Sequence, residues 1–412
     1  MFKTISKCRV CGNAAIETVM SLGDLSLTGV FPKSRNENIT SGPVDLVMCI
    51  GESTCGLVQL KQSYNIEEMY GDNYGYRSGL NKTMVAHLET KVAKILSMNV
   101  LEDNDVIIDI GSNDCTTLNA YPKNKFELYG IDPSALKFSA YYPPEIRLIP
   151  DFFSADLVKQ NLAGKEAKVI TSFAMFYDLE SPVDFARQIE KSLAPEGIWV
   201  FEQSYLPFML KMNSFDTICH EHLEFYSLKQ INWITEAAGL KVLDVEFNGI
   251  NGGSFSITAA KLSSSYIPNF ENLNNILAEE EALGLSTSKV FNNFKVGVDE
   301  SRRMLLDFLV TAKNNGQKVA GLGASTKGNV LLQYYGVNEQ LLTKIGEVNP
   351  EKFGCFTPGS LIPLVPEDEV IESSIEYLLV LPWHFREFFL SQEKLKGKKL
   401  IFPLPNFEIV SL

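Results

Sequence analysis

The chain is short of positive charge. Its 412 residues carry 37 Lys and Arg against 50 Asp and Glu, a formal net charge of −13. That balance argues against nucleic acid or an anionic membrane surface as a partner, and any anionic small substrate needs local basic groups to meet it. No apolar run reaches the roughly 18–20 residues of a membrane span. The opening residues MFKTISKCRV lack an apolar signal block, so the seven cysteines are expected to be reduced thiols, metal ligands, or both. There is neither a GxGxxG nor a Walker-type loop, which speaks against bound NAD or ATP. Repeats and low-complexity tracts are absent too. Apolar residues at 45% and charged residues at 21% describe an ordinary globular protein, long enough for two or three domains.

Against that background the cysteines stand out. Cys8 and Cys11 form one close pair and Cys49 and Cys55 another, within the first 60 residues. Two pairs from separate turns can surround one ion tetrahedrally, and zinc favours four thiolates in structural sites. Buried free thiols are the alternative. The segment from Leu22 to Asp45, with Pro32 and Pro43, reads as long and irregular, so such a module would have little core without an ion. Tyr70 to Asn81, YGDNYGYRSGLN, is rich in Tyr and Gly and includes Arg77; it suits a substrate cleft or a packed domain junction. Thr83 to Met98 has the apolar spacing of a core-facing helix.

The stretch DVIIDIGSNDCTTL, Asp105 to Leu118, reads as a buried parallel strand breaking into a small-residue turn. Ligands of open α/β sheets bind at such strand ends. Gly111 admits close backbone approach, Ser112 and Asn113 extend the loop, and Asp109 and Asp114 are expected to face a cation. A second strand, Glu127 to Ile131, ends in Asp132, a carboxylate placed to grip ribose hydroxyls. This pairing resembles the S-adenosylmethionine site of class I methyltransferases. Further strands are expected at 147–149, 168–172, 197–203, 241–247 and 254–260, giving five parallel strands and a terminal antiparallel pair.

Two of the four histidines flank Glu221 in FDTICHEHLEFY. His220 and His222 lie too close together for a zincin helix, so the cluster suggests a general base with an orienting carboxylate, or a structural pair at a junction. After a helical bridge over 270–313, a strand at 318–322 runs into GLGASTKGNVLLQYY. Ser325, Thr326 and Lys327 at a helix start offer hydroxyls, amides and an ammonium to a phosphate, or the stretch is a Gly-rich turn that only packs helix on strand. Strands at 344–348, 377–381 and 399–402 complete a small Rossmann-like sheet.

In combination, the four cysteines with the GLVQL that follows, IDIGSND, FDTICHEHLEFYSL and GASTKGN resemble the nucleotide-sugar C-methyltransferases of deoxysugar biosynthesis, over essentially the whole chain. The resemblance implies an α/β chain in three parts: a zinc-binding module (1–68), a class I methyltransferase domain with a Rossmann-like sheet (69–262) and a C-terminal Rossmann-like α/β domain (263–412). It implies S-adenosylmethionine as methyl donor, a structural Zn²⁺, and a nucleotide-diphosphate-linked 4-keto-deoxysugar as substrate, methylated beside the ketone, commonly at C3. His222 is then the base, Glu221 its orienting partner, His220 a supporting residue, and Tyr76 the group that holds the sugar or stabilises the enolate. Tyr74, Arg77, Ser325, Thr326, Lys327 and Asn329 are the expected sugar-nucleotide contacts. A cytoplasmic monomer or homodimer is expected. The rival readings are an O- or N-methyltransferase on a related sugar and a noncatalytic sugar-nucleotide binding protein. Three departures from the family pattern bear on the substrate: Cys219 where the family often has Tyr, Cys115 where it usually has Gly, and Met175 to Asp178 in place of a commoner His-containing stretch.

Overall fold

A computed structural model of the chain describes residues 2–70 and 77–412. Tyr74 and Tyr76, the aromatic residues expected to meet the sugar, lie outside the described residues.

The N-terminal module is more regular than its sequence suggests. β1 (Ile16–Ser26) pairs antiparallel with β2 (Ser41–Cys49), and β2 with β3 (Val58–Leu60). The prolines misled: Pro43 lies near the start of β2, opposite an irregularity of β1 that takes up Gly23 at φ +73°. Val19, Met20, Leu25, Val44, Leu46 and Met48 supply the buried face. A short strand at Glu224–Phe225, just past the His-Glu-His run, pairs with Gln59 and Val58 and completes this sheet.

The central sheet comprises β4 (Val106–Ile110), β5 (Glu127–Ile131), β6 (Ile146–Ile149), β7 (Ala167–Phe173), β8 (Leu193–Ser204), β9 (Leu240–Asn248) and β10 (Ser254–Lys261). Their order is β9-β10-β8-β7-β4-β5-β6, and β10 runs antiparallel to both of its neighbours. Because side chains alternate along a strand, β4 feeds two cores. Ile107 joins Val92 and Ile95 of α1 (Lys82–Ser97) on one face. Ile108 joins Ile189 of α2 (Pro182–Ser192) and Ile231 of α3 (Leu228–Ala237) on the other.

Two helices, α4 (Phe270–Ala282) and α5 (Val290–Asn314), lead to the C-terminal sheet. It holds β11 (Val319–Leu322), β12 (Ile345–Glu347), β13 (Leu364–Pro366), β14 (Tyr377–Val380), β15 (Lys399–Phe402) and β16 (Glu408–Ser411), in the order β13-β12-β11-β14-β15-β16. Only β16 is antiparallel among these described strands. Helix α6 (Thr326–Tyr335) follows β11. One apolar core joins this domain to the N-terminal module: Leu46, Met48 and Val58 share it with Phe215, Ile218, Leu322 and Leu331. Ser26 and Asn329 fasten the seam, since the Ser26 amide donates to Gln333 (2.8 Å) and Asn329 donates to the Thr28 carbonyl (2.7 Å).

Candidate active site

The loop after β4 turns at Gly111, which has φ +73°, a conformation that suits glycine. A Cβ there would meet Met175 at 3.2 Å. Asn113 and Cys115 also have positive φ, so the loop is wound tightly without further glycines. Asp132 holds it down: one carboxylate oxygen accepts from the Asn113 amide (2.8 Å), the other from the amide and hydroxyl of Ser134 (2.7 Å each). Ser112 bonds Tyr142, whose hydroxyl also reaches the Asn113 carbonyl. Residues 77–79 close over the loop. Ser78 donates to Asn113 and Gly79 to Asp114, and the Arg77 guanidinium lies over Tyr141 with Nε 3.5 Å from Asp114. Arg77 thus sits at the loop that follows β4. Asp109 departs from expectation: it is buried, accepts from Thr171 (2.6 Å), and desolvation pushes its carboxyl up to about 7. It supports the loop from below, while Asp114 and Asp132 line it. A glycine cradle at the end of the first strand and an acid at the end of the second fit S-adenosylmethionine.

The stretch from Met175 to Asp178 runs from this glycine to the histidine cluster. Tyr177 packs edge-on against His222, with ring centroids 4.4 Å apart. His222 Nδ1 faces the Thr217 carbonyl at 2.8 Å. A carbonyl only accepts, so Nδ1 carries the hydrogen and Nε2 keeps the lone pair. The orienting group is therefore Thr217 rather than Glu221. Burial, with the Lys327 charge second, pushes His222 down to about 3, so the half-buried ring is neutral at physiological pH. Glu221 turns elsewhere. Its Oε1 lies 2.5 Å from where a Cβ of Gly29 would stand, Thr326 Oγ1 is 3.7 Å from the same point, and Oε2 is buried without a hydrogen-bond partner among the described residues. Burial raises the Glu221 carboxyl. His220 belongs to the core of the N-terminal module: it is buried, bonds the Leu25 carbonyl and meets the edge of Tyr64, and desolvation lowers it to about 4.

The C-terminal domain brings α6 to the same place. Ser325 caps the helix by accepting from the Gly328 amide (3.0 Å). Thr326 faces Gly29, and the Lys327 ammonium donates to the Asn251 carbonyl (2.8 Å). Asn329, fully buried, ties α6 to the N-terminal module, so its visible role is a strut. Glu347, which ends β12, accepts from the amides of Ala324, Val348 and Asn349. That carboxylate is engaged by its own loops.

The four cysteines converge as expected. The Sγ atoms of Cys8, Cys11, Cys49 and Cys55 all lie within 4.8 Å of one another, with Cys8–Cys55 and Cys11–Cys49 at 3.5 Å. A tetrahedron with Zn–S bonds of about 2.3 Å has edges of about 3.8 Å, so the residues fit zinc and leave no open coordination position. The Cys8 thiol, hydrogen-bonded to Cys55, is pushed down to about 5, while the same contact pushes Cys55 up.

Several residues of this junction escaped the sequence reading: Gly29, Thr217 and Asp216, with Trp383 donating to Asp216 at 2.7 Å. Thr217 acts through its main chain, which no side-chain pattern reveals. Gly29 is one glycine among 28.

Three family models match the chain: a zinc binding domain over residues 8–70, a methyltransferase domain over 84–245 and the C-methyltransferase C-terminal domain over 249–405. The C-methyltransferase NovU of Streptomyces niveus is 26% identical over 416 residues, covering 99% of this chain and 98% of that protein. Two solved structures overlay on part of the chain. An O-methyltransferase family protein from Burkholderia thailandensis is 15% identical at a TM-score of 0.36, over 48% of this chain and 63% of its own. The CcbJ methyltransferase from Streptomyces caelestis is 11% identical at 0.34, over 42% and 89%. The three models in sequence, the full-length relative, the four-thiol cluster and the strand order of the central sheet place this chain among the S-adenosylmethionine-dependent C-methyltransferases that carry an N-terminal zinc-binding module.

Proposed function

We propose that the chain methylates a carbon beside the ketone of a nucleotide-diphosphate-linked 4-keto-deoxysugar, C3 being the position assigned, by way of an enolate. The observation that carries this reading is the fixed tautomer of His222. Its Nδ1–H is spent on the Thr217 carbonyl, which leaves Nε2 as a neutral base at the meeting point of the methyltransferase and C-terminal domains. A sugar carbon becomes nucleophilic only when its proton is removed, and the neighbouring ketone makes that possible by accepting the charge. O- or N-methylation would need neither removal of a carbon-bound proton nor the ketone. Bound S-adenosylmethionine supplies an electrophilic methyl group. Gly111, Ser112, Asn113, Asp114 and Asp132 would hold it, with Arg77 closing the loop. Ser325 and Thr326, at the start of α6, would meet the sugar nucleotide, and Tyr74 and Tyr76 remain the aromatic candidates for the sugar itself.

The test is incubation in D₂O with thymidine, guanosine and cytidine diphosphate 4-keto-6-deoxyhexoses, with and without S-adenosylmethionine, followed by mass spectrometry. Expected are deuterium uptake beside the ketone and gain of one methyl group in the wild type. In His222→Ala both should fall by about 10²–10⁴-fold. Methyl transfer to ketone-free sugars at the same rate, unaffected by His222→Ala, would assign O-methylation instead.

A further inference from the structure

Lys327 sits in unusual company for a phosphate-binding lysine. Its ammonium donates to the Asn251 carbonyl (2.8 Å), and the next residue, Gly252, packs against Ser214, Trp383 and His384, each within 4.0 Å of its Cβ position. Trp383 holds one oxygen of Asp216, while the other oxygen is buried without a hydrogen-bond partner among the described residues, as are Ser214 Oγ, His384 Nδ1 and Glu221 Oε2. Asp216 and Glu221 are each at least nine-tenths buried. A diphosphate at Lys327 would set two negative charges among these carboxyl groups, whereas a single oxygen that gains charge only during reaction would not. Thr326, one residue away, shares the Gly29 corner with Glu221, so the start of α6 lies on the side of the junction that also holds the His222 segment.

We infer that Lys327 is a catalytic residue, whose ammonium donates to the ketone oxygen of the substrate as negative charge builds there, and that it does not hold the diphosphate. The inference rests on the enolate reading above. His222 Nε2 takes the proton, the C–H pair becomes the C=C bond, and the carbonyl π pair moves onto the oxygen facing Lys327. That pair then returns to re-form C=O while the carbon bonds the methyl group and the sulfur keeps the S–C pair. The oxygen gains no proton overall; the one on His222 passes to solvent. The same cation, secondary to burial, disfavours protonation of both His222 and His384, so it keeps the base in its working form.

The test compares Lys327→Met with Lys327→Arg in the full chain, using free thymidine, guanosine and cytidine diphosphate as binding probes and the 4-keto sugar nucleotides as substrates. For Lys327→Met, deuterium uptake and kcat for methyl transfer should both fall by about 10²–10³-fold. Affinity for the nucleoside diphosphate that the wild type binds should stay within about threefold, and Lys327→Arg should recover part of the rate. Weakened diphosphate binding with kcat preserved at saturation would overturn the inference and return Lys327 to the diphosphate. Should Lys327→Met lose S-adenosylmethionine binding, Lys327→Gln is judged by the same kcat-against-binding split. The His222→Ala control separates the two readings. Equal methyl transfer by that variant and the wild type removes the enolate itself, whereas loss in His222→Ala with full activity in Lys327→Met removes only Lys327.

Discussion

The amide of Leu60, in the strand that follows the last of the four clustered cysteines, donates to the carbonyl of Leu223, the residue after His222, at 2.8 Å. Gln59 and Val58 pair with Glu224 and Phe225, and Gln230 donates to the Cys55 carbonyl. The histidine segment is therefore one edge of the zinc-module sheet. A structural zinc contributes about 10–16 kcal/mol to small modules of this kind. Chelation, or Cys55→Ser, should accordingly loosen residues 220–226 together with 8–70. Hydrogen exchange with and without a chelator checks this, beside metal analysis expected to give one zinc per chain. Protection of 220–226 that survives metal removal would show the two parts to be independent.

Acid should weaken the fold through its buried imidazoles. His220 titrates at about 4 in the folded chain, below the about 6.5 of an exposed histidine. Between those values the unfolded chain binds the extra proton, so stability falls as pH falls and is fully present above about 6.5. Asp109, raised to about 7, acts in the opposite sense, but equally in wild type and variant. The stability advantage of wild type over His220→Gln should therefore shrink by about 1.4 kcal/mol per pH unit from pH 6.5 to about 4. Urea unfolding at several pH values reads this slope; a difference that does not change with pH would place a charged imidazole in the core.

The sheet strands were legible because they are apolar runs bounded by small residues. Val106–Ile110 and Glu127–Ile131 are examples, with acids at their ends in the places where an α/β sheet presents a ligand. The four cysteines were legible from their pairing alone. What the sequence hid is orientation. Glu221 stands next to His222 in the chain but turns towards Gly29, because the short strand at 224–225 is pinned to the N-terminal sheet. Asp109 reads as a pocket acid yet lies under the loop, bonded to Thr171. Strands β1 and β2 were concealed by Pro32, Pro43 and Gly23, which fall in the connecting loop, near a strand start and at a bulge respectively.

The cofactor loop yields a sharper pair of variants. Asp132→Ala frees the Asn113 and Ser134 amides that shape the loop. Hydrogen bonds to a charged group are worth about 1.5–3 kcal/mol each, so S-adenosylmethionine should bind at least about tenfold more weakly. Gly111→Ala meets φ +73° and the Met175 side chain at 3.2 Å, and should cost about 1–2 kcal/mol of stability. Calorimetric titration with S-adenosylmethionine and thermal unfolding check the two separately. Wild-type affinity in Asp132→Ala would move the cofactor away from this loop.

Gly29 offers a test of how the three parts meet. Its backbone is not in the left-handed region, so alanine there suffers only from contact: the new methyl would stand 2.5 Å from Glu221 Oε1 and 3.7 Å from Thr326 Oγ1. Something has to give, and the end of the Glu221 side chain is the cheapest to move. Gly29→Ala should lower the rate of methyl transfer by about tenfold or more, at about 1–3 kcal/mol of stability, with S-adenosylmethionine affinity unchanged, since the cofactor loop lies elsewhere. The cause can be isolated by a double-mutant cycle. In a Glu221→Ala background the clash is gone, so the stability cost of Gly29→Ala should largely vanish, a coupling of about 0.5–3 kcal/mol. Additive costs would mean that Gly29 matters for a reason other than Glu221, and the junction would then have to be rebuilt around the Thr326 contact alone.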